Sequence, residues 1–148
     1  MKRLELVGFK ACPRCHRAVA YLKTDEKDQT LAIALDASKA RELSRNYEEP
    51  GREKFLTDFF LQSLSNSSCV PRQVVLDCSE EGLLSARVDM TTAVFSCSPQ
   101  DGIALAVAAG IPLYAVERIF EHRHLFHPSD TESESTDLVQ PKLKPTLH

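Results

Sequence analysis

The chain has no excess of basic residues. Its 148 residues carry 18 Lys and Arg against 21 Asp and Glu, a net charge of −3, which is not the strongly basic composition of a dedicated nucleic-acid binder. No run approaches the ~18 apolar residues that a membrane span requires, so no membrane partner is expected. Met1-Lys2-Arg3 leads directly into Leu4-Glu5-Leu6-Val7-Gly8, without the apolar segment and small-residue cleavage site of a secretory signal, and the expected location is cytoplasmic. The five cysteines are an odd number without such a signal, which suits free thiols in a reducing compartment better than a disulfide framework. With 43% hydrophobic residues the chain can bury one sizeable core. We expect a single domain over residues 1–127, followed by a disordered tail, 128–148, that is acidic, contains proline and has few large apolar side chains.

The most ordered signal lies between Phe95 and Glu117, FSCSPQDGIALAVAAGIPLYAVE. Ser98, Pro99 and Asp101 form a helix start: the serine hydroxyl accepts from early N–H groups, proline fits the first helical position, and an anion suits the first turn. Ile103 to Ala109 is apolar all round, so this helix is buried on every side. Gly110 and Pro112 end it, and Leu113 to Val116 reads as a strand.

The remaining elements fall into two similar halves. Leu4 to Phe9 and Ala18 to Lys23 suit a hairpin, Thr30 to Leu35 a third strand, and Asp36 to Tyr47 a helix with Asp36 as its N-cap. Gln73 to Asp77 and Leu83 to Asp89 make a second hairpin across Ser79-Glu80-Glu81-Gly82, Ala93 to Cys97 is the next strand, and the Pro99 helix follows. Between the halves, Arg52 to Leu64 reads as a bridging amphipathic helix, its stripe of Phe55, Leu56, Phe59, Phe60 and Leu64 expected to be core. Val116 to Leu125 adds a last short helix. The fold expected is α+β: a mostly antiparallel, curved sheet built from two three-strand-plus-helix halves, with helices packed on one side.

The stretch from Pro99 to Tyr114 resembles the signature of the bifunctional nuclease domain family. Pro99, Asp101, Ile103, Ala104, Leu105, Ala106, Pro112 and Tyr114 match that family's pattern, and Leu31 to Leu35 and Leu56-Thr57-Asp58 extend the likeness upstream, so that it covers about Leu4 to Ile119. The resemblance implies hydrolysis of DNA or RNA phosphodiester bonds with little sequence preference, nucleic acid as partner, and a tendency to form homo-oligomers. Three positions depart from the pattern. Ser98 stands where relatives carry an arginine, which removes a bidentate phosphate donor. Asp58 stands where they carry a histidine, which removes a group that titrates near neutrality. Lys39 falls where they carry a glutamate.

Phosphodiester hydrolysis needs an activated water, positive charge or a metal on the non-bridging oxygens, and carboxylates to hold that metal. Asp101, matching the family's aspartate at a helix start, is the first catalytic candidate; its other role is the helix cap itself. Asp36 stands at the corresponding helix start in the first half, and Asp89 is a weaker third carboxylate. Mg, Mn or Zn would suit such a site. Lys2, Arg3, Lys10, Arg14, Arg17 and Lys23 face only Glu5 in residues 1–24, and of these Lys10, Arg14 and Arg17 are the candidates for the phosphate backbone. Cys12-Pro13-Arg14-Cys15-His16 spells a haem-attachment sequence that a cytoplasmic chain would not use. Cys12 and Cys15 are instead half of a tetrahedral zinc site or two reduced surface thiols. His122-x-His124-x-x-His127 reads as a solvated helix end. Two function classes follow: a nuclease using Asp101, Asp36 and the first hairpin, or a noncatalytic relative that binds a protein or an anion, with Cys12 and Cys15 adding a metal or redox element.

Overall fold

A meander of three strands followed by a helix occurs twice in the computed structural model, which describes residues 1–12, 17–26, 28–44 and 54–126. The first is β1 (Lys2–Cys12), β2 (Arg17–Thr24), β3 (Thr30–Asp36) and α1 (Ala37–Ser44). After α2 (Leu56–Ser63), the second is β4 (Pro71–Cys78), β5 (Leu84–Met90), β6 (Val94–Cys97) and α3 (Pro99–Ala109). β7 (Leu113–Ala115), α4 (Arg118–Glu121) and a 3-10 turn at Arg123–Leu125 follow. The tail expected from residue 128 lies outside the described residues.

The seven strands form one sheet in the order β3-β2-β1-β7-β4-β5-β6. β7 is the seam between the meanders, antiparallel to β1 and parallel to β4. All other pairs are antiparallel. β1 and β4 therefore run in opposite directions, as they do when an approximate twofold normal to the sheet relates the two halves. This is the α+β, mostly antiparallel architecture that the element order implies.

Alternation decides which face is buried. Ala18, Ala20 and Leu22 of β2 pair with Leu35, Ile33 and Leu31 of β3, and all six are buried. In the second half Val74, Leu76, Ala86 and Val88 supply the same face. α3 lies against it with Gly102, Ile103, Ala104, Leu105, Ala106 and Ala108 buried. The helix is built as its sequence dictates: Ser98 caps it, Pro99 begins it, and Gly110 closes it at φ 66°, a left-handed conformation that costs glycine little.

The sheet is strongly curled. Six strand spacings would separate the edges of a flat seven-stranded sheet by about 29 Å, yet the end of edge strand β3 is hydrogen-bonded to the start of the helix that follows edge strand β6. Asp36 N–H donates to Gln100 Oε1 at 2.9 Å and Gln100 Nε2 donates to Asp36 Oδ2 at 2.8 Å. Consistently, α3 touches β3 as well as β4, β5, α1 and α2.

The expectation for α2 needs correcting. It packs on α3 and its preceding residue, Phe55, lies under Arg41 of α1 at 5.8 Å, so it does join the halves. Its aromatic stripe is not core: no residue of α2 is buried, and Leu56 and Phe59 are 82% and 69% exposed. The residues that reach the core are Leu61 and Leu64, one side of a helix whose larger apolar side faces away. Residues 52 and 53, expected to open this helix, lie outside the described residues.

Candidate active site at the meeting of two helix starts

Curling of the sheet brings the first turns of α1 and α3 face to face. Lys39, third residue of α1, extends between the helices, its Nζ 2.7 Å from Asp101 Oδ1 and 2.8 Å from Glu42 Oε2. Asp101, third residue of α3, also has its backbone N–H donated to Ser98 Oγ at 3.2 Å. Alongside, Asp36 and Gln100 form the two-bond clamp described above. Asp36 and Asp101, far apart in sequence, thus belong to one cluster with Lys39, Glu42 and Gln100.

The electrostatics follow from these contacts. The hydrogen bond from Lys39 holds the Asp101 carboxyl below the ordinary aspartate value, against the opposing effect of partial burial and with help from Ser98. Burial pulls the Lys39 ammonium down, but its bonds to Asp101 and Glu42 outweigh this and leave it above the ordinary lysine value. Glu42 is 4% exposed, and its second oxygen, Oε1, has no hydrogen-bond partner among the described residues. Cys97, at the end of β6, borders the cluster; burial pushes its thiol up, Asp101 adds to this, and Lys39 opposes it. A thiol so held stays protonated and is a poor nucleophile.

The basic candidates divide. Arg17 begins β2, is exposed, and pairs across the ladder with Asp36, so its backbone is at the edge of the cluster. Lys10 pairs with Val19 and sits over the Tyr21 ring at 5.6 Å. Strand alternation puts Lys10 and Arg17 together on the face of the hairpin opposite Ala18, Ala20 and Leu22, and so away from the face that the helices cover. Arg14 and Cys15 lie outside the described residues; for Cys12, only the backbone, paired with Arg17 at the end of β1, can be placed. Among the described residues no group of three or more His, Cys, Asp and Glu is arranged to hold a metal ion.

Other polar candidates have different partners. Asp89 accepts from Gln73 Nε2 at 2.7 Å and from Arg87 Nε at 2.8 Å, on the sheet face opposite α3. Asp58 accepts from Phe55 N–H at 2.9 Å and so secures the start of α2. His122 Nδ1 lies 2.9 Å from the Arg118 carbonyl; His127 is outside the described residues.

Three residues of the cluster have no role in the sequence reading. Gln100 carries no pattern that would single it out, and its partner is 64 residues away. Lys39 stands out in sequence only as a departure from the family pattern; in the structure it is the cation against Asp101, while Ser98 supplies none. Glu42 shows one local sign, its spacing of three from Lys39 on a helix.

No curated protein matches the chain. Residues 20–127 match the sequence model of the bifunctional nuclease domain, a stretch that contains Asp36, Lys39, Glu42, Gln100 and Asp101 and begins after Lys10 and Arg17. That match takes in well over half of the chain and the whole of the cluster between α1 and α3, and the protein is a member of the bifunctional nuclease domain family.

Proposed function

We propose that this domain hydrolyses phosphodiester bonds of DNA, RNA or both, with little sequence preference, at the junction of α1 and α3. The observation that carries the reading is the convergence of two carboxylates, Asp36 and Asp101, with Lys39 where two helix N-termini meet. Helix starts and an ammonium favour a phosphate anion. In the reaction, water attacks phosphorus as the P–O ester bond breaks; Asp36 takes the proton from the attacking water, and the leaving alkoxide is protonated by solvent. Asp101, held in its ionised form by Lys39 until phosphate arrives, is too weak a base for that step and instead positions the water. Lys10, Arg14 and Arg17 carry the flanking backbone, a contribution that depends on charge and not on base sequence.

The test is hydrolysis of single- and double-stranded DNA and RNA by rigorously purified protein, with magnesium, manganese, zinc or chelator present. Asp36→Asn and Asp101→Asn should each abolish product while leaving the fold intact, because an amide keeps the size of the side chain but not its charge. No hydrolysis by the wild type under any condition sinks the enzyme reading.

One observation favours a second reading, in which the domain binds a protein or an anionic ligand without turnover: Asp101 is already neutralised by Lys39. Retained nucleic-acid binding without hydrolysis points there. In that case Cys12 and Cys15 are the place to seek a functional element, and stoichiometric zinc that disappears when both are changed to serine would locate it.

A further inference from the structure

A carboxylate pair at an active site of this kind is a natural seat for a divalent cation, and here a side chain occupies the seat. Lys39 Nζ bridges Asp101 Oδ1 and Glu42 Oε2 at 2.7 and 2.8 Å, and its side chain is 16% exposed. Divalent ions bind carboxylate oxygens at about 2.0–2.6 Å, so an ion shared by these two carboxylates would have to lie where the ammonium now lies. Two like charges cannot occupy that volume. Glu42 supplies an independent reason for the lysine to remain: a carboxylate 4% exposed, with one oxygen lacking a partner among the described residues, needs a counter-charge at once.

The two anions are not equivalent. The Asp101 side chain is 56% exposed, whereas Glu42 is buried. An arriving phosphate can therefore displace Asp101 from Lys39 while Glu42 keeps the lysine tethered. We propose that Lys39 is the resident cation of this site, seated between Glu42 and Asp101 in place of a divalent metal, and that it donates directly to a non-bridging oxygen of the bound phosphodiester. The proposal rests on the α1–α3 junction being the active site, but its first readout does not depend on turnover.

That readout is manganese titration followed by the spectrum of the bound ion, with manganese chosen because thiols compete for it less than for zinc. The wild type should bind no manganese that Asp101→Asn removes. Lys39→Met should gain one site, tighter than any wild-type binding at Asp101 by about tenfold or more, and Lys39→Met with Asp101→Asn should lose it. Lys39→Arg keeps the charge and should, like the wild type, bind no manganese that depends on Asp101. Manganese bound by the wild type and lost in Asp101→Asn overturns the proposal, as does a folded Lys39→Met that gains no site. Should Lys39→Met not fold, the comparison of wild type with Asp101→Asn decides alone. Turnover is the second readout: wild-type hydrolysis should persist in excess chelator, and strict dependence on added metal overturns the assignment. Absence of all hydrolysis defeats the nuclease reading, while the manganese comparison still decides who holds the seat.

Discussion

Gly102→Ala tests how closely α3 must approach the sheet for the site to form. A Cβ at Gly102 would stand 2.8 Å from Ala86 Cβ and 3.0 Å from Val74 Cγ1. Two effects oppose. Alanine in place of glycine inside a helix contributes about 1 kcal/mol through backbone entropy, while overpacking a well-filled core costs about 1–3 kcal/mol. The Ala86 methyl cannot rotate aside, and Val74 is fully buried, so relief requires the helix or the strand to shift. Overpacking should win, with a net loss of about 1–2 kcal/mol. Urea denaturation should show a lower midpoint with an unchanged slope. Val74→Ala removes one of the two close contacts, so Gly102→Ala should cost less in that background, with a coupling of about 0.5–1 kcal/mol. Because Gln100 and Asp101 immediately precede Gly102, the shift should also disturb their bonds to Asp36 and Lys39, and the hydrolysis proposed for the wild type should fall with stability. A Gly102→Ala protein as stable as the wild type, or strictly additive with Val74→Ala, refutes this account of the packing.

Further outcomes are expected. Arg14→Ala with Arg17→Ala should weaken oligonucleotide binding and make its salt dependence shallower by about 1.4–1.8 log units per log unit of salt if each arginine meets one phosphate, as read by fluorescence anisotropy across a salt series; an unchanged slope removes these residues from the interface. Acid should destabilise the fold: the hydrogen bond from Lys39 keeps Asp101 below its ordinary value and the paired bonds from Arg118 keep Asp77 there, so their stabilisation is complete above about pH 4 and is lost as pH falls through the depressed folded values. Denaturation midpoints measured from neutral to acid pH should fall in that window, with Asp77→Asn less sensitive, and greater stability on acidification would contradict the assignment. Leu56, Phe59 and Phe60 present an apolar side of α2 to solvent, and sedimentation at micromolar concentration should reveal a dimer that Phe59→Ser converts to monomer; a monomeric wild type rules this out.

What could be seen in the sequence was local. The start and end of α3 depend on Ser98, Pro99 and Gly110 acting within a few residues, and the strands of both meanders depend on alternation, which needs no knowledge of partners. The stripe on α2 shows the limit of such reasoning. Helical spacing places Leu56, Phe59 and Phe60 together but does not tell what they face; of the expected stripe Leu64 does pack against the core, and Leu61, outside the stripe, joins it. The bonds between Asp36 and Gln100 and between Lys39 and Asp101 are set by the curl of the whole sheet. No local pattern encodes that distance.

The duplicated element order nonetheless contains a constraint on the site. Lys39 and Asp101 are each the third residue of the helix that follows a three-stranded meander, so under an approximate twofold relating the halves they are equivalent positions. Equivalent positions meet where the axis passes between them. The same charged residue in both halves would put like charges within about 3 Å of each other, a repulsion that a partly buried site does not screen. Opposite charges at this position remove the repulsion and tie α1 to α3. A lysine in one half and an aspartate in the other is therefore an arrangement that the geometry of the fold favours over two like charges. The asymmetry has a chemical consequence: it leaves one cation between two carboxylates, so that two halves alike in element order differ in charge where they meet.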